Sequence, residues 1–220
     1  MDTLDKTLRS FWEIENVTCD SSSISEELNY CNEHHEKTHY RNSEGRYVIQ
    51  MPFKPEMEKI SLGDSYQIAS KRHNNLWKRL NRDPTMKFLY SEFIREYKNL
   101  NHMEEITNCN HSNDDAYFLP HQCVLRPSSI TTKLIVVFDA SAKTTTGYSL
   151  NDLSCAGGVL QDDLFSILTK FRKNRYAFTA GISKMFRQIE INPSQRIYLK
   201  ILWKEGSEEN VKVFALKTVT

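Results

Sequence analysis

Apolar residues recur at helical spacing through the first half of the chain. In LGDSYQIASKRHNNLWKRLNRDP, Ile68, Leu76 and Leu80 share one face, Asp64 is placed to cap the helix, and Asp83-Pro84 ends it because proline lacks the next backbone donor. TMKFLYSEFIREYKNL repeats the pattern with Phe88/Leu89, Phe93 and Tyr97 as the apolar face. Upstream, SISEELNYCNEHHEKTHYR opens on serines suited to capping and runs without Gly or Pro, which predicts a further helix. GRYVIQMPF breaks the helical period. Tyr47, Ile49 and Met51 alternate with Val48 and Gln50 before Pro52, the pattern of a short strand.

The polar stretch NHMEEITNCNHSNDDA places a boundary near residues 102–116, dividing the chain into segments 1–110 and 111–220. After it the texture changes. AYFLPHQCVL, TTKLIVVFDASA, RYAFTAGI, FRQIEI, RIYLKILW and VKVFALKTV are β-rich runs, and QDDLFSILTKFRK between them has a helical period. RIYLKILWKEGSEENVKVFALKTV reads as a hairpin turning at Glu205-Gly206-Ser207. Strands and helices mixed at irregular spacing predict an α+β fold.

Charge narrows the functional classes. The chain has 29 basic and 28 acidic side chains, a net charge of +1, so any affinity for nucleic acid has to come from a local groove rather than a global field. Cysteines 19, 31, 109, 123 and 155 form no CxxC pair and follow no signal peptide, which predicts reduced thiols in an intracellular, cytoplasmic or nuclear, setting. No apolar run reaches membrane-spanning length, so a soluble protein is expected.

The second half carries a family resemblance. PHQCVLRPSSITTKLIVVFDASAKTTTGYSLND and QDDLFSILTKFRKNRYAFTAGISKMFRQIEINPSQRIYLKILW resemble the fingers and early palm of the reverse transcriptases of BEL/Pao-type LTR retrotransposons. FWEIENV, GRYVIQMPFK and LGDSYQIASKR resemble the segment preceding the polymerase core in the same Pol polyproteins. The resemblance implies a helical pre-polymerase segment followed by the fingers and partial palm of a right-hand polymerase, whose ancestral reaction is RNA-directed DNA synthesis with Mg2+. It also implies that the catalysis is lost. In the family, the strand matching YAFTAGISKMF carries the first catalytic Asp, and that position here is Gly181, which has no metal-binding group. The later Tyr-x-Asp-Asp hairpin falls beyond Thr220, so no catalytic residue and no bound cofactor are expected in this chain. An Arg expected four residues before Asp139 is Ile135, which cannot make charge-assisted bonds to a triphosphate.

The same resemblance makes Lys133, Asp139 and Phe186 the remnant of a nucleotide site, Phe186 lying beneath the sugar. Other readings stand beside these: Phe186 as a core aromatic, and Asp139 as a buried or turn-capping carboxylate. Asp162-Asp163 fits a helix start better than a metal site. Lys170, Arg172, Lys173 and Arg175, with Lys184 and Arg187, interleave with Phe171, Tyr176 and Phe186. This pattern suits weak contact with a single strand or an RNA–DNA hybrid, and a solvated helix end explains the first four equally well. Cys31, His34, His35 and His39 have spacings for zinc on one helix face, but lie in one helix rather than in two separated pairs. Cys109, His111, His121 and Cys123 scatter around the polar loop. A palm lacking its remaining strands predicts exposed Ile201, Trp203, Phe214 and Leu216, and hence self-association. The alternative to a polymerase fragment is a non-enzymatic module, kept for binding nucleic acid or a protein partner.

Overall fold

The helical reading between residues 64 and 99 is met, and one dipeptide serves both helices. In the computed structural model, which describes residues 26–57, 62–107, 116–130, 132–158, 162–206 and 208–219, α1 (Glu26–Thr38) is followed by α2 (Tyr66–Arg82) and α3 (Pro84–Asn99). The Asp83 N–H closes α2 on Leu80 O while its carboxylate accepts from Met86 N at 2.9 Å and caps α3, with Pro84 in the first turn. At the start of α2, Asp64 accepts from Tyr66 N at 2.7 Å. Ser65, the residue at the cap position, instead accepts from Phe118 N at 2.8 Å. The serines expected to cap α1 lie outside the described residues.

Burial shifts the expected faces. α2 buries Ala69, His73, Leu76, Trp77 and Leu80, and leaves Ile68 only half-buried. α3 buries Met86, Tyr90, Ile94 and Tyr97. Phe88, placed on the apolar face by spacing, is 63% exposed, because the helix turns Tyr90 and Ile94 toward the core and carries Phe88 out to its flank.

Short strands complete an α+β architecture. β1 (Tyr40–Arg41) and β2 (Tyr47–Ile49) pair antiparallel, and β2 pairs in parallel with β6 (Glu190–Ile191). β3 (Met103–Glu105), β8 (Lys212–Leu216) and β7 (Lys200–Trp203) form a second, antiparallel sheet in that order. β4 (His121–Leu125) and β5 (Leu134–Phe138) make a hairpin with Cys123 opposite Val136. α4 (Leu150–Leu153) is closed by a reciprocal Ser149–Asp152 capping box, and α5 (Leu164–Arg172) is capped by Asp163. The acidic pair at 162–163 therefore serves the helix start: Asp163 caps it and Asp162 pairs with Lys170.

The first segment holds three strands where one was expected, and it does not stand apart from the second. β2 pairs with β6, β3 pairs with β8, and one apolar core takes residues from both. At its centre Trp203 stacks on Tyr90, ring centroids 5.1 Å apart, and meets Trp77 at 5.4 Å. This corrects the expectation of exposed terminal strands. Ile201, Trp203 and Leu216 are 0% exposed and Phe214 1%, because α2 and α3 cover the sheet that missing strands were thought to cover. RIY, read as strand, is the 3-10 turn Pro193–Tyr198, and KILW alone forms β7.

RYAFTAGI is a second correction. Residues 175–182 have no regular secondary structure, with Tyr176 81%, Phe178 90% and Ile182 71% exposed. A strand needs a neighbour for its backbone groups, and no described strand edge pairs with this one. Among the described residues no helix is long and apolar enough to cross a membrane.

Candidate nucleic-acid interface

An open cleft runs between α3, β5 and residues 182–187, formed by two adjoining hollows of ≈590 and ≈780 Å³ that share Val136, Lys184 and Arg187. β5 supplies its floor, Leu134, Ile135 and Val136 lining one hollow and Val136, Val137 and Phe138 the other, and Lys133 stands just before that strand. α3 supplies Phe93, Glu96 and Tyr97 at the spacing of one helix face. The third wall is the 3-10 turn Phe186–Gln188 and the residues before it.

Two contacts hold that wall to α3. The Arg187 guanidinium lies over the Tyr97 ring at 4.4 Å and the Phe93 ring at 5.3 Å, a cation shared by two adjacent rings of one helix face. Burial raises the Tyr97 hydroxyl pKa, and the Arg187 charge pulls part of that shift back. Lys184 pairs with Glu96 and has φ +53°, a left-handed backbone unusual for lysine.

The sequence-predicted site residues divide among several places. Lys133, Ile135 and Arg187 line one hollow and Phe186 lines the adjoining one. Phe186 is 60% exposed on a turn, which removes the reading of a core aromatic. Asp139 is elsewhere. It accepts from the Ser141 N–H at 3.0 Å and the Ser141 hydroxyl at 2.6 Å, and it pairs with Arg72, so it serves as a turn-capping carboxylate. Burial pushes its carboxyl pKa up, and the bonds from Ser141 and Arg72 outweigh burial and hold it below the ordinary value.

Gly181 is exposed in the irregular stretch, and a Cβ there would meet nothing within 4 Å. Lys170, Arg172, Lys173 and Arg175 line neither hollow. They sit at the end of α5, a helix with no buried residue, where Lys170 is paired to Asp162 and Arg175 lies 5.4 Å from the Tyr176 ring. Of the five basic residues expected to act together, Arg187 alone reaches the cleft.

The cysteine and histidine sets do not converge. His35 and His39 stack at 4.5 Å, His121 and Cys123 are buried in β4, and Cys109 and His111 lie outside the described residues. Among the described residues no group of three or more His, Cys, Asp or Glu could hold a metal ion.

Chemically, the cleft offers Lys133 and Arg187 on two walls and an exposed ring beside an apolar floor, with Lys184 neutralised by Glu96, a combination that suits a few phosphates and unpaired bases. No protein-family model matches the chain, and no curated protein does either. Sequence reasoning missed Phe93, Glu96 and Tyr97, whose partners Lys184 and Arg187 lie about ninety positions along the chain. No local period could have linked them.

Proposed function

We propose that the chain is a non-catalytic nucleic-acid-binding module derived from the fingers and early palm of a BEL/Pao-type reverse transcriptase. The observation that carries this reading is the meeting of Lys133, Lys184, Phe186 and Arg187 around one open cleft, from segments some fifty residues apart. Two of these, Lys133 and Phe186, are positions that the resemblance assigns to the nucleotide site. A third such position, Ile135, puts an apolar side chain where a triphosphate would need a cation.

In this reading a single strand lies in the cleft with its phosphates on Lys133 and Arg187 and a base against Phe186. Binding is weak and independent of sequence, since the net charge is near zero and the two carboxylates that line the cleft, Glu92 and Glu96, are engaged in ion pairs with Arg95 and Lys184. Gly181 supplies no ligand for the metal ions of phosphoryl transfer, so the module binds without polymerising.

The test is a fluorescence titration of the chain with a labelled single-stranded oligonucleotide at two salt concentrations. Phe186→Ala should weaken binding by about 1–3 kcal/mol, the worth of one stacked base. Lys133→Gln should flatten the salt dependence by roughly one phosphate contact. Binding that ignores salt, or that both variants leave unchanged, contradicts the reading.

A further inference from the structure

We propose that the outer face of α2 is a docking surface for the sugar–phosphate backbone of a nucleic-acid duplex, separate from the cleft. The helix is two-sided. Ala69, His73, Leu76, Trp77 and Leu80 are buried, and every exposed residue of α2 is Gln, Asn, Lys or Arg. Lys71, Arg72, Lys78, Arg79 and Arg82 are all exposed, in a chain whose net charge is only +1.

No acidic residue lies between Asp64 and Asp83, and these two are engaged with the backbone at Tyr66 and Met86. Arg72 is paired to Asp139. Among the described residues the other four cations take part in no ion pair. Cations left unneutralised along one face concentrate positive potential there.

Helical geometry makes this a row. At 3.6 residues per turn, positions 71, 75, 78 and 82 fall within about 60° of one another, opposite the buried face, and span roughly 16 Å at 1.5 Å per residue. Asn75 sits within the row and Asn74 and Asn81 flank it, adding amide donors that also suit phosphate oxygens. Lys87 and Lys204, at 5.1 and 5.0 Å from the Trp77 ring, extend the positive charge along one flank.

The absence of an exposed ring on this face chooses the partner. A single strand is held largely by stacking its bases, and this surface offers none, whereas a duplex keeps its bases stacked inside and presents only phosphates and sugars. An anionic membrane would attract these cations too, but firm seating draws on apolar side chains beside them as well, and no exposed residue of α2 supplies one. The helix is also rigidly seated, capped by Asp83 and anchored by Trp77 on Trp203, so its cations keep a fixed spacing.

The experiment is a fluorescence-anisotropy titration of the full chain with a short labelled duplex, with one of its strands alone, and with phosphatidylserine vesicles, at several salt concentrations. The wild type should bind the duplex, and Lys71→Gln/Lys78→Gln/Arg82→Gln should weaken that binding about tenfold or more and flatten the salt slope by roughly 2–3. Lys71→Arg/Lys78→Arg should keep it. Arg187→Gln should lower single-strand binding and leave duplex binding in place, so failure of the cleft reading and failure of this one are separately visible. Circular dichroism checks that each variant is folded. The proposal is overturned if the neutralised variant, folded, binds duplex as the wild type does. It is equally overturned if the wild type binds no duplex, or if only vesicle binding depends on α2.

Discussion

Acid should destabilise this protein through two buried histidines. His73 and His121 are 4% and 6% exposed, with ring centroids 6.4 Å apart beside Trp203. Burial pushes both pKa values down to about 4, and for His73 the neighbouring charges of His121 and Lys204 add to it. Burial keeps His121 neutral against the bond to Leu202 O, which at 2.8 Å from Nε2 favours the protonated ring; in the neutral ring with the proton on Nε2, Nδ1 accepts from the Tyr90 hydroxyl. The unfolded chain binds these protons near pH 6.5, the folded one near 4. Stability from each histidine is therefore complete above pH 6.5 and is lost as pH falls toward 4. Linkage sets the loss at pH 4.5 at roughly 2–3 kcal/mol per histidine. The pair together comes to about 4–6 kcal/mol, comparable to the lower end of an ordinary domain's stability of about 5–15 kcal/mol. Urea denaturation from pH 7 to 4.5 measures it. His73→Leu provides the control, since His73 Nε2 is buried without a hydrogen-bond partner among the described residues. The variant should match the wild type at pH 7, within about 1 kcal/mol, and lose about half of the acid sensitivity. An unchanged pH profile in the variant, or a flat profile in the wild type, would refute the reasoning.

Neither the wild type nor Gly181→Asp should extend a primer with Mg2+ or Mn2+, because one added carboxylate cannot hold two metal ions and Ile135 still stands at the triphosphate position; template-dependent dNTP incorporation by either, above a heat-killed control, would count against the assignment of position 181. Phe214→Ala removes a side chain that is 1% exposed and should cost about 3–5 kcal/mol in urea denaturation, with a loss under 1 kcal/mol showing that β8 is not central. Amides of β7 and β8 should exchange slowest in the chain and those of residues 175–182 among the fastest, as hydrogen exchange read by mass spectrometry will show; fast exchange in Ile201–Trp203 would contradict the shared core.

Local chemistry was legible in the sequence wherever one element decided it. Asp83-Pro84 was readable as the end of one helix, though its capping of the next came only with the structure, and Glu205-Gly206-Ser207 was readable as the link between two strands. Asp163 and Asp139 fell where short carboxylates cap, and they do cap. What the sequence hid depends on pairing at a distance. RYAFTAGI has a strand's composition but no edge to join. Phe88 has a core residue's chemistry, but α3 rotates it outward to seat Tyr90 against Trp203. The terminal strands seemed bare because the local sequence says nothing of α2 and α3 folding back over them. The candidate site shows the same division. Lys133, Phe186 and Arg187 could be named from the resemblance and from basic–aromatic interleaving. Tyr97, Phe93 and Glu96 entered only through the packing of α3. The cationic face of α2 was readable in principle, as a run from Ser65 to Arg82 without a carboxylate, but the near-neutral total charge concealed it.

Photo-crosslinking tests the central claim, that the cleft binds a single strand, most directly. A single-stranded oligonucleotide carrying a photoreactive 5-bromouracil is irradiated with the full chain, and the modified peptides are mapped by mass spectrometry. The account predicts crosslinks on the cleft walls, with Phe186 the foremost site, and their loss at high salt. Crosslinks confined to other parts of the chain, or none at a concentration where titration shows binding, would contradict it.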